Sequence, residues 1–244
     1  MSNYQIHPIF PTIIYQCSMG SHWCDILSSK KEYQFDPSSG ALTGETRDLG
    51  LMHHDPDLQD FFGEVSASII ACLDQASINT DVVEPAIMKA WCTMIDAGDT
   101  MRAHTHACSD LSFVYYVDPP DNALIKFLNP NRNPNKYFDG VYDKEPVLGK
   151  TNTVENRYLC GEKNFINSSD YTMGVQKGDV IIFPSNIPHC TVGGGQSVHL
   201  RSIAGDIKLV LKHDYTSLDT GLINPAHWRV VQPNKLAHSP NTDP

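Results

Sequence analysis

The stretch GDTMRAHTHACSDLSFVYYV (98–117) decides how the rest of the chain is interpreted. It places His104 and His106 directly before a run rich in β-branched and aromatic residues, the composition typical of a β-strand. Side chains in a strand alternate between faces and advance about 3.3 Å per residue, so these two imidazoles lie on one face about 6.6 Å apart. Two imidazoles so placed can bind one metal ion, although two surface histidines would give the same pattern.

A second segment, GDVIIFPSNIPHCTVGGGQSVHLRS (178–202), supplies another candidate ligand. A buried strand leads to His189 at the start of the next strand, and the glycines at 193–195 predict a tight hairpin after it. That hairpin is expected to pair His189 near His199 or Arg201, on one shared face. An arginine there suits a buried carboxylate, because its guanidinium is always charged and binds in a forked geometry.

Two further residues follow from strand parity. Asp110 has the parity of the two histidines but would lie about 13 Å from His106 on a straight strand. It can join the metal only if residues 107–109 form a turn, so this ligand stays open. Tyr116 shares the same parity and is expected to face the interior.

The whole chain is predicted to be mainly β, with one helix. Apolar residues recur at three- and four-residue spacing over 56–76, which indicates an amphipathic helix, and residues 1–60 otherwise show no clear periodicity. The expected organisation is a single domain of 244 residues. We predict strands at 86–95, 101–107, 111–117, 122–128, 179–184 and 197–211. The segments are an N-terminal extension (1–85), a β-sandwich or barrel (86–211) that includes a lid-like insertion (129–172), and a C-terminal tail (212–244).

Composition excludes several classes of partner. The net charge of −10 argues against an extended surface for nucleic acid or anionic membrane, which needs clustered Lys and Arg. No apolar run approaches the roughly 20 residues that span a bilayer, and the N-terminus lacks the pattern of a secretory signal. The seven cysteines form no C-x-x-C pair, so we expect reduced thiols in the cytoplasm.

Taken together, the two histidine segments resemble the paired metal motifs of the cupin superfamily: G-x5-H-x-H-x3-D from Gly98 and G-x5-P-x-N-x2-H from Gly178. Within that superfold the chain resembles the Fe(II)/2-oxoglutarate dioxygenases. It is most similar to a bacterial and phage group of oxygenases, through FPTII (10–14), HTHACSDLSFVYYVDPP (104–120) and LRSIAGDI (200–207).

This resemblance implies a double-stranded β-helix barrel, of the jelly-roll or cupin-like type, with an N-terminal helical buttress. It implies Fe(II) on His104, His106 and His189, and a hydroxylase reaction that converts 2-oxoglutarate to succinate and CO2. His106 occupies the position where the family commonly has Asp or Glu, so the site is either three-histidine or completed by Asp110.

The resemblance also implies residues that bind 2-oxoglutarate. Arg201 matches the clamping arginine, and the serine that commonly lies two residues after it lies here at Ser202 instead. Tyr116 is a candidate hydrogen-bond donor to the same cofactor. Arg132 and Tyr137 in the insertion are candidate contacts for a small-molecule or peptide substrate.

Two other functions stay open at this point. One is a cupin-type metalloenzyme that does not use 2-oxoglutarate, and the other is a non-enzymatic barrel that binds a metal or a small ligand. The direction of the Arg201 side chain is expected to separate the 2-oxoglutarate oxygenase from these two alternatives. A side chain directed toward the metal favours 2-oxoglutarate, and one directed away from it favours either alternative. The sequence does not determine an oligomeric state.

Overall fold

The computed structural model describes residues 12–29, 43–45, 51–95, 101–129, 170–192, 200–215, 222 and 225–227. Two α-helices precede most of the strands: α1 (His22–Ser29) and α2 (Gln59–Gln75). The strands are β1 (Tyr15–Ser18), β2 (Thr43–Glu45), β3 (Val83–Ile95), β4 (Leu111–Asp118), β5 (Leu124–Leu128), β6 (Asp170–Gly174), β7 (Asp179–Pro184), β8 (His189–Val192) and β9 (Leu200–Leu211).

The strands form two antiparallel sheets. The larger sheet has the order β1-β7-β4-β9-β3-β2, and the smaller has the order β6-β5-β8. One hydrophobic cluster takes residues from both sheets, which therefore pack face to face as in a jelly roll. The predicted double-stranded β-helix is confirmed.

A second hydrophobic cluster joins the larger sheet to the two helices. On β7, Val180 and Ile182 belong to this helix-side cluster, whereas Ile181 and Phe183 lie between the sheets. Both faces of the strand are thus buried, which explains why its sequence is a continuous apolar run without alternation. The predicted helical buttress is α2, whose buried face includes Phe61, Val65 and Ile69.

The described strands β8 and β9, which were expected to form a hairpin, do not pair with each other. β8 pairs with β5 in the smaller sheet, while β9 lies between β4 and β3 in the larger one. His189 lies opposite Phe127, so the predicted pairing of His189 near Arg201 is wrong. The chain passes from one sheet to the other between these strands, and residues 193–199, including His199, lie outside the described residues.

Several other predicted boundaries change. The region expected to be irregular contains β1, which pairs with β7, and α1, which packs against β4. The predicted insertion over 129–172 ends too late, because β6 begins at Asp170 and pairs with β5. Residues 130–169 lie outside the described part of the chain. Among the helices that the structure describes, none has the length and apolarity needed to cross a membrane.

Candidate metal centre

His104 and His189 are brought together by the backbone. They form an isolated antiparallel bridge in which each residue's N–H donates to the other's carbonyl at 3.0 Å. The His106 N–H donates to the Ser185 carbonyl, also at 3.0 Å. The strand predicted over 101–107 is therefore reduced to this single bridge, but the segment still places both of its histidines beside the start of β8.

The three histidine side chains converge. One ring nitrogen from each of His104, His106 and His189 lies within 4.8 Å of the others. Their ring centroids are separated by 4.4 Å between His104 and His189, 5.1 Å between His106 and His189, and 5.2 Å between His104 and His106. Three imidazoles at one point form a set of ligands typical of Zn, Cu, Fe or Ni sites.

The Nδ1 atom of each ring already has a partner. His104 Nδ1 lies 2.9 Å from the Arg102 carbonyl, and His189 Nδ1 lies 3.0 Å from the Ile187 carbonyl. A carbonyl only accepts, so each Nδ1 carries the proton and each Nε2 presents its lone pair. His106 Nε2 is buried and has no hydrogen-bond partner among the described residues, as expected of an atom that binds a metal.

His189 is held in the form that a metal requires. Burial lowers the pKa of its imidazole to about 3, and the nearby His104 and His106 act in the same direction, against the hydrogen bond from its ring to Ile187. The ring is therefore neutral near pH 7. Metal ligation by histidine needs that neutral form.

Aromatic rings surround the three histidines. The ring of Phe183 packs edge-on against His189 at a centroid distance of 4.5 Å. The ring of Trp91 stacks on His106 at 5.7 Å, with an interplanar angle of 30°. These apolar walls limit access of water to the site and lower its dielectric constant.

A carboxylate that sequence reasoning missed lies behind His106. Asp206 on β9 is fully buried, and its Oδ1 accepts from His106 Nδ1 at 2.5 Å and from Ser112 Oγ at 3.0 Å. Its Oδ2 lies 3.0 Å from Lys89 Nζ. Burial alone would raise the pKa of Asp206, but His106 and Lys89 together lower it below its usual value. The one available signal was an acidic residue within the otherwise largely apolar strand LRSIAGDIKLVL.

Asp110 lies apart from the histidines. The turn that it required is present, since Cys108 adopts a φ of 68°, but it directs Asp110 toward β9. There Asp110 Oδ1 lies 2.9 Å from Lys208 Nζ, and Oδ2 accepts from the Leu209 N–H at 2.8 Å. The group that could hold a metal, among the residues that the structure describes, consists of the three histidines.

Arg201 lies on the opposite face of β9 from Asp206. Its cross-strand neighbours are Met94 on β3 and Asp118 on β4, and the Asp118 carboxylate accepts from Ser28 on α1. The next residue on the same face of the strand, Ile203, belongs to the helix-side cluster. Arg201 therefore faces the helices, and the structure does not bring it to the histidines.

Ser202 and Tyr116 face the interior of the barrel. They lie opposite each other on β9 and β4, and both side chains are buried. The Tyr116 hydroxyl has no hydrogen-bond partner among the described residues. Burial, with a smaller effect from Asp179, raises the pKa of Tyr116 well above its ordinary value of 10.0, so the phenol is a hydrogen-bond donor at neutral pH. Arg132 and Tyr137 lie outside the described residues.

Comparison with known proteins supports the assignment made from the sequence. Residues 89–204 match the family described as "Putative 2OG-Fe(II) oxygenase", a range that includes all three histidines. The sequence-based resemblance to the Fe(II)/2-oxoglutarate oxygenases is thereby confirmed. No curated protein matches the chain.

Three solved structures show similarity to this chain. An oxidoreductase of the 2OG-Fe(II) oxygenase family from Burkholderia pseudomallei is 9% identical, with 80% of this chain and 84% of that chain covered and a TM-score of 0.50. HygX from Streptomyces hygroscopicus, solved with nickel and 2-oxoglutarate bound, is 11% identical, with 81% and 83% covered and a TM-score of 0.49. A prolyl-4-hydroxylase from Pseudomonas putida is 10% identical, with 81% and 92% covered and a TM-score of 0.46.

Proposed function

We propose that this chain, whose residues 89–204 belong to the 2OG-Fe(II) oxygenases, binds its iron through His104, His106 and His189. The observation that carries the ligand assignment is the convergence of three rings whose Nδ1 atoms are all engaged, so that their Nε2 atoms are the available ligands. The enzyme is an Fe(II)- and 2-oxoglutarate-dependent oxygenase.

Each part of the site has a task in that reaction. Iron with 2-oxoglutarate supplies the oxidising chemistry, in which O2 is consumed and 2-oxoglutarate becomes succinate and CO2. The protein orients the ligand rings through Arg102, Ile187 and Asp206, and the aromatic walls restrict water. We assign Tyr116 and Ser202 as hydrogen-bond donors to 2-oxoglutarate, because both are buried and face the interior from adjacent strands.

The substrate is proposed to be a small molecule or a peptide that is hydroxylated at the iron. Arg132 and Tyr137 are proposed to contact it from the segment between β5 and β6. A cytoplasmic location is proposed because all six cysteines in the described part of the chain are free thiols.

The test is an anaerobic titration of the Fe(II)-loaded protein with 2-oxoglutarate, followed by visible absorption. A keto acid that chelates open positions on the iron produces a weak charge-transfer band, and subsequent exposure to O2 should release succinate. We expect both signals in the wild type and neither in His104→Ala. Stoichiometric iron binding without a band at any 2-oxoglutarate concentration would exclude the proposed cofactor.

A second candidate is a three-histidine metalloenzyme that does not take 2-oxoglutarate. The observation in its favour is that Arg201, the expected partner of the cofactor's distal carboxylate, faces the helices. The same titration separates the two candidates, since this alternative predicts iron binding and no charge-transfer band.

A further inference from the structure

Burial of the Asp206 carboxylate is energetically unfavourable, and its contacts indicate which role it has in the structure. The side chain has no exposed surface, and a buried charge is tolerated only where partners compensate it. Its partners are a candidate metal ligand, a buried hydroxyl and an ammonium group: His106, Ser112 and Lys89. A carboxylate that only stabilised the fold would not need a histidine of the metal site among them.

The contact determines which nitrogen of His106 is available. A carboxylate only accepts hydrogen bonds, so the bond from Nδ1 places the proton there and leaves the lone pair on Nε2. That Nε2 is the buried atom without a partner among the described residues. The identity of the ligand atom on His106 thus depends on Asp206.

A single network holds His106 from two directions. Ser112 Oγ lies 3.0 Å from Asp206 Oδ1 and 2.8 Å from Ser185 Oγ, and the carbonyl of Ser185 accepts the His106 N–H. Lys89 occupies the other carboxylate oxygen at 3.0 Å, which leaves Oδ1 directed at the imidazole. The ring and the backbone of His106 are therefore fixed by the same group of residues.

We propose that Asp206 is the positioning residue of the metal centre and supplies, through His106, the negative charge that a three-histidine site lacks. In a two-His-one-carboxylate site the carboxylate binds the metal itself. Here a histidine stands between the carboxylate and the metal, which raises the basicity of that imidazole and strengthens its bond to the ion. The inference rests on the proposed function for the identity of the metal but not on the use of 2-oxoglutarate.

The test compares Asp206→Asn with a matched control. Asp179→Asn removes another buried carboxylate, one whose partners are the side chain of Gln16 and the backbone of Gln176. Apoprotein of each variant is titrated with Co(II) alone and with Fe(II) alone. Cobalt is followed by its visible d–d absorption, and thermal unfolding of the apoproteins reports on the fold.

We expect Asp206→Asn to weaken binding of both metals by about 10- to 100-fold and to shift the cobalt spectrum. Asp179→Asn should stay within about 2-fold of the wild type, as expected for a residue outside the ligand network. Formate added to Asp206→Ala should recover part of the metal affinity, because a small carboxylate can occupy the vacated position beside His106.

Two outcomes would overturn the inference. One is wild-type metal affinity and an unshifted cobalt spectrum in Asp206→Asn, and the other is an equal loss of affinity in Asp179→Asn, which would indicate general destabilisation. Failure of the proposed function looks different: the wild type would bind metal and depend on Asp206, but 2-oxoglutarate would give no charge-transfer band.

Discussion

The backbones of His104 and His189 hold each other in place, since each N–H donates to the other's carbonyl at 3.0 Å. This bridge joins the segment before β4 to the start of β8, 85 positions later in the chain, and so assembles the site. Both hydrogen bonds belong to the main chain. Removal of either imidazole therefore leaves the bridge intact.

His104→Ala is accordingly expected to abolish stoichiometric metal binding while preserving the fold. The side chain is half-buried and the bridge does not use it, so the far-ultraviolet circular dichroism should match that of the wild type. Metal content after Fe(II) or Co(II) loading is the measurement. His54→Ala, which changes an exposed histidine before α2, is the control and should retain full loading. Full loading of His104→Ala would remove this residue from the ligand set.

Arg201→Ala is expected to leave the affinity for 2-oxoglutarate within about 2-fold of the wild type, because β9 turns this side chain toward the helices. Tyr116→Phe should weaken it by about 10- to 100-fold, the effect of losing one hydrogen bond to a charged group. Anaerobic titration of the charge-transfer band gives both dissociation constants. Loss of binding in Arg201→Ala alone would restore the clamping role that the family resemblance implies and would contradict our assignment.

The convergence of the three histidines at the candidate metal centre was predictable from the sequence because they lie in two short segments with a regular spacing. His104 and His106 precede an apolar strand, His189 begins another, and Tyr116 faces the interior as its parity predicts. The amphipathic pattern over 56–76 likewise predicted α2. In each case the information is local, carried by strand alternation or helical periodicity.

The surroundings of those histidines depend on contacts that are distant in sequence. A hairpin and a crossover between sheets share the same local signals, so the glycines after β8 did not show that β9 lies in the other sheet. A shift of one position then reverses the face of a strand, which is why Arg201 points away from the site while Ser202 points inward. Asp206 reaches His106 across 100 residues, a contact that one sequence does not encode in any local pattern.

Tyr116 is expected to reduce stability at high pH. Burial raises its pKa in the folded chain well above the ordinary value of 10.0. Above pH 10 the unfolded chain releases a proton that the folded chain keeps, so this contribution to stability is complete below pH 10 and is lost as the pH rises through the raised pKa of the folded chain. The loss at pH 11 is about 1.4 kcal/mol for one unit above the ordinary value.

Urea unfolding at pH 8 and pH 11 measures this effect. Tyr116→Phe should lose less stability over that interval than the wild type, by about the stated amount. Tyr171→Phe is the control, because Tyr171 is 60% exposed. Its replacement should leave the loss of stability between the two pH values as it is in the wild type. An equal loss in wild type and Tyr116→Phe would show that this phenol ionises with its ordinary pKa.

Two glycines should respond in opposite directions to substitution by alanine. At Gly205, the residue before Asp206, an added Cβ would lie 2.3 Å from Phe113 Cε1 and 2.9 Å from the Lys89 carbonyl oxygen. Phe113 is fully buried and cannot move aside without disturbing the core, so Gly205→Ala should lower the free energy of unfolding by about 1–3 kcal/mol.

At Gly63, exposed in the middle of α2, an added Cβ meets no atom within 4 Å. Gly63→Ala should raise the free energy of unfolding by about 0.5–1 kcal/mol, because alanine loses less backbone entropy in a helix. Chemical denaturation of the two apoproteins measures both changes, and a Gly205→Ala variant as stable as the wild type would contradict the close packing of β9 against β4.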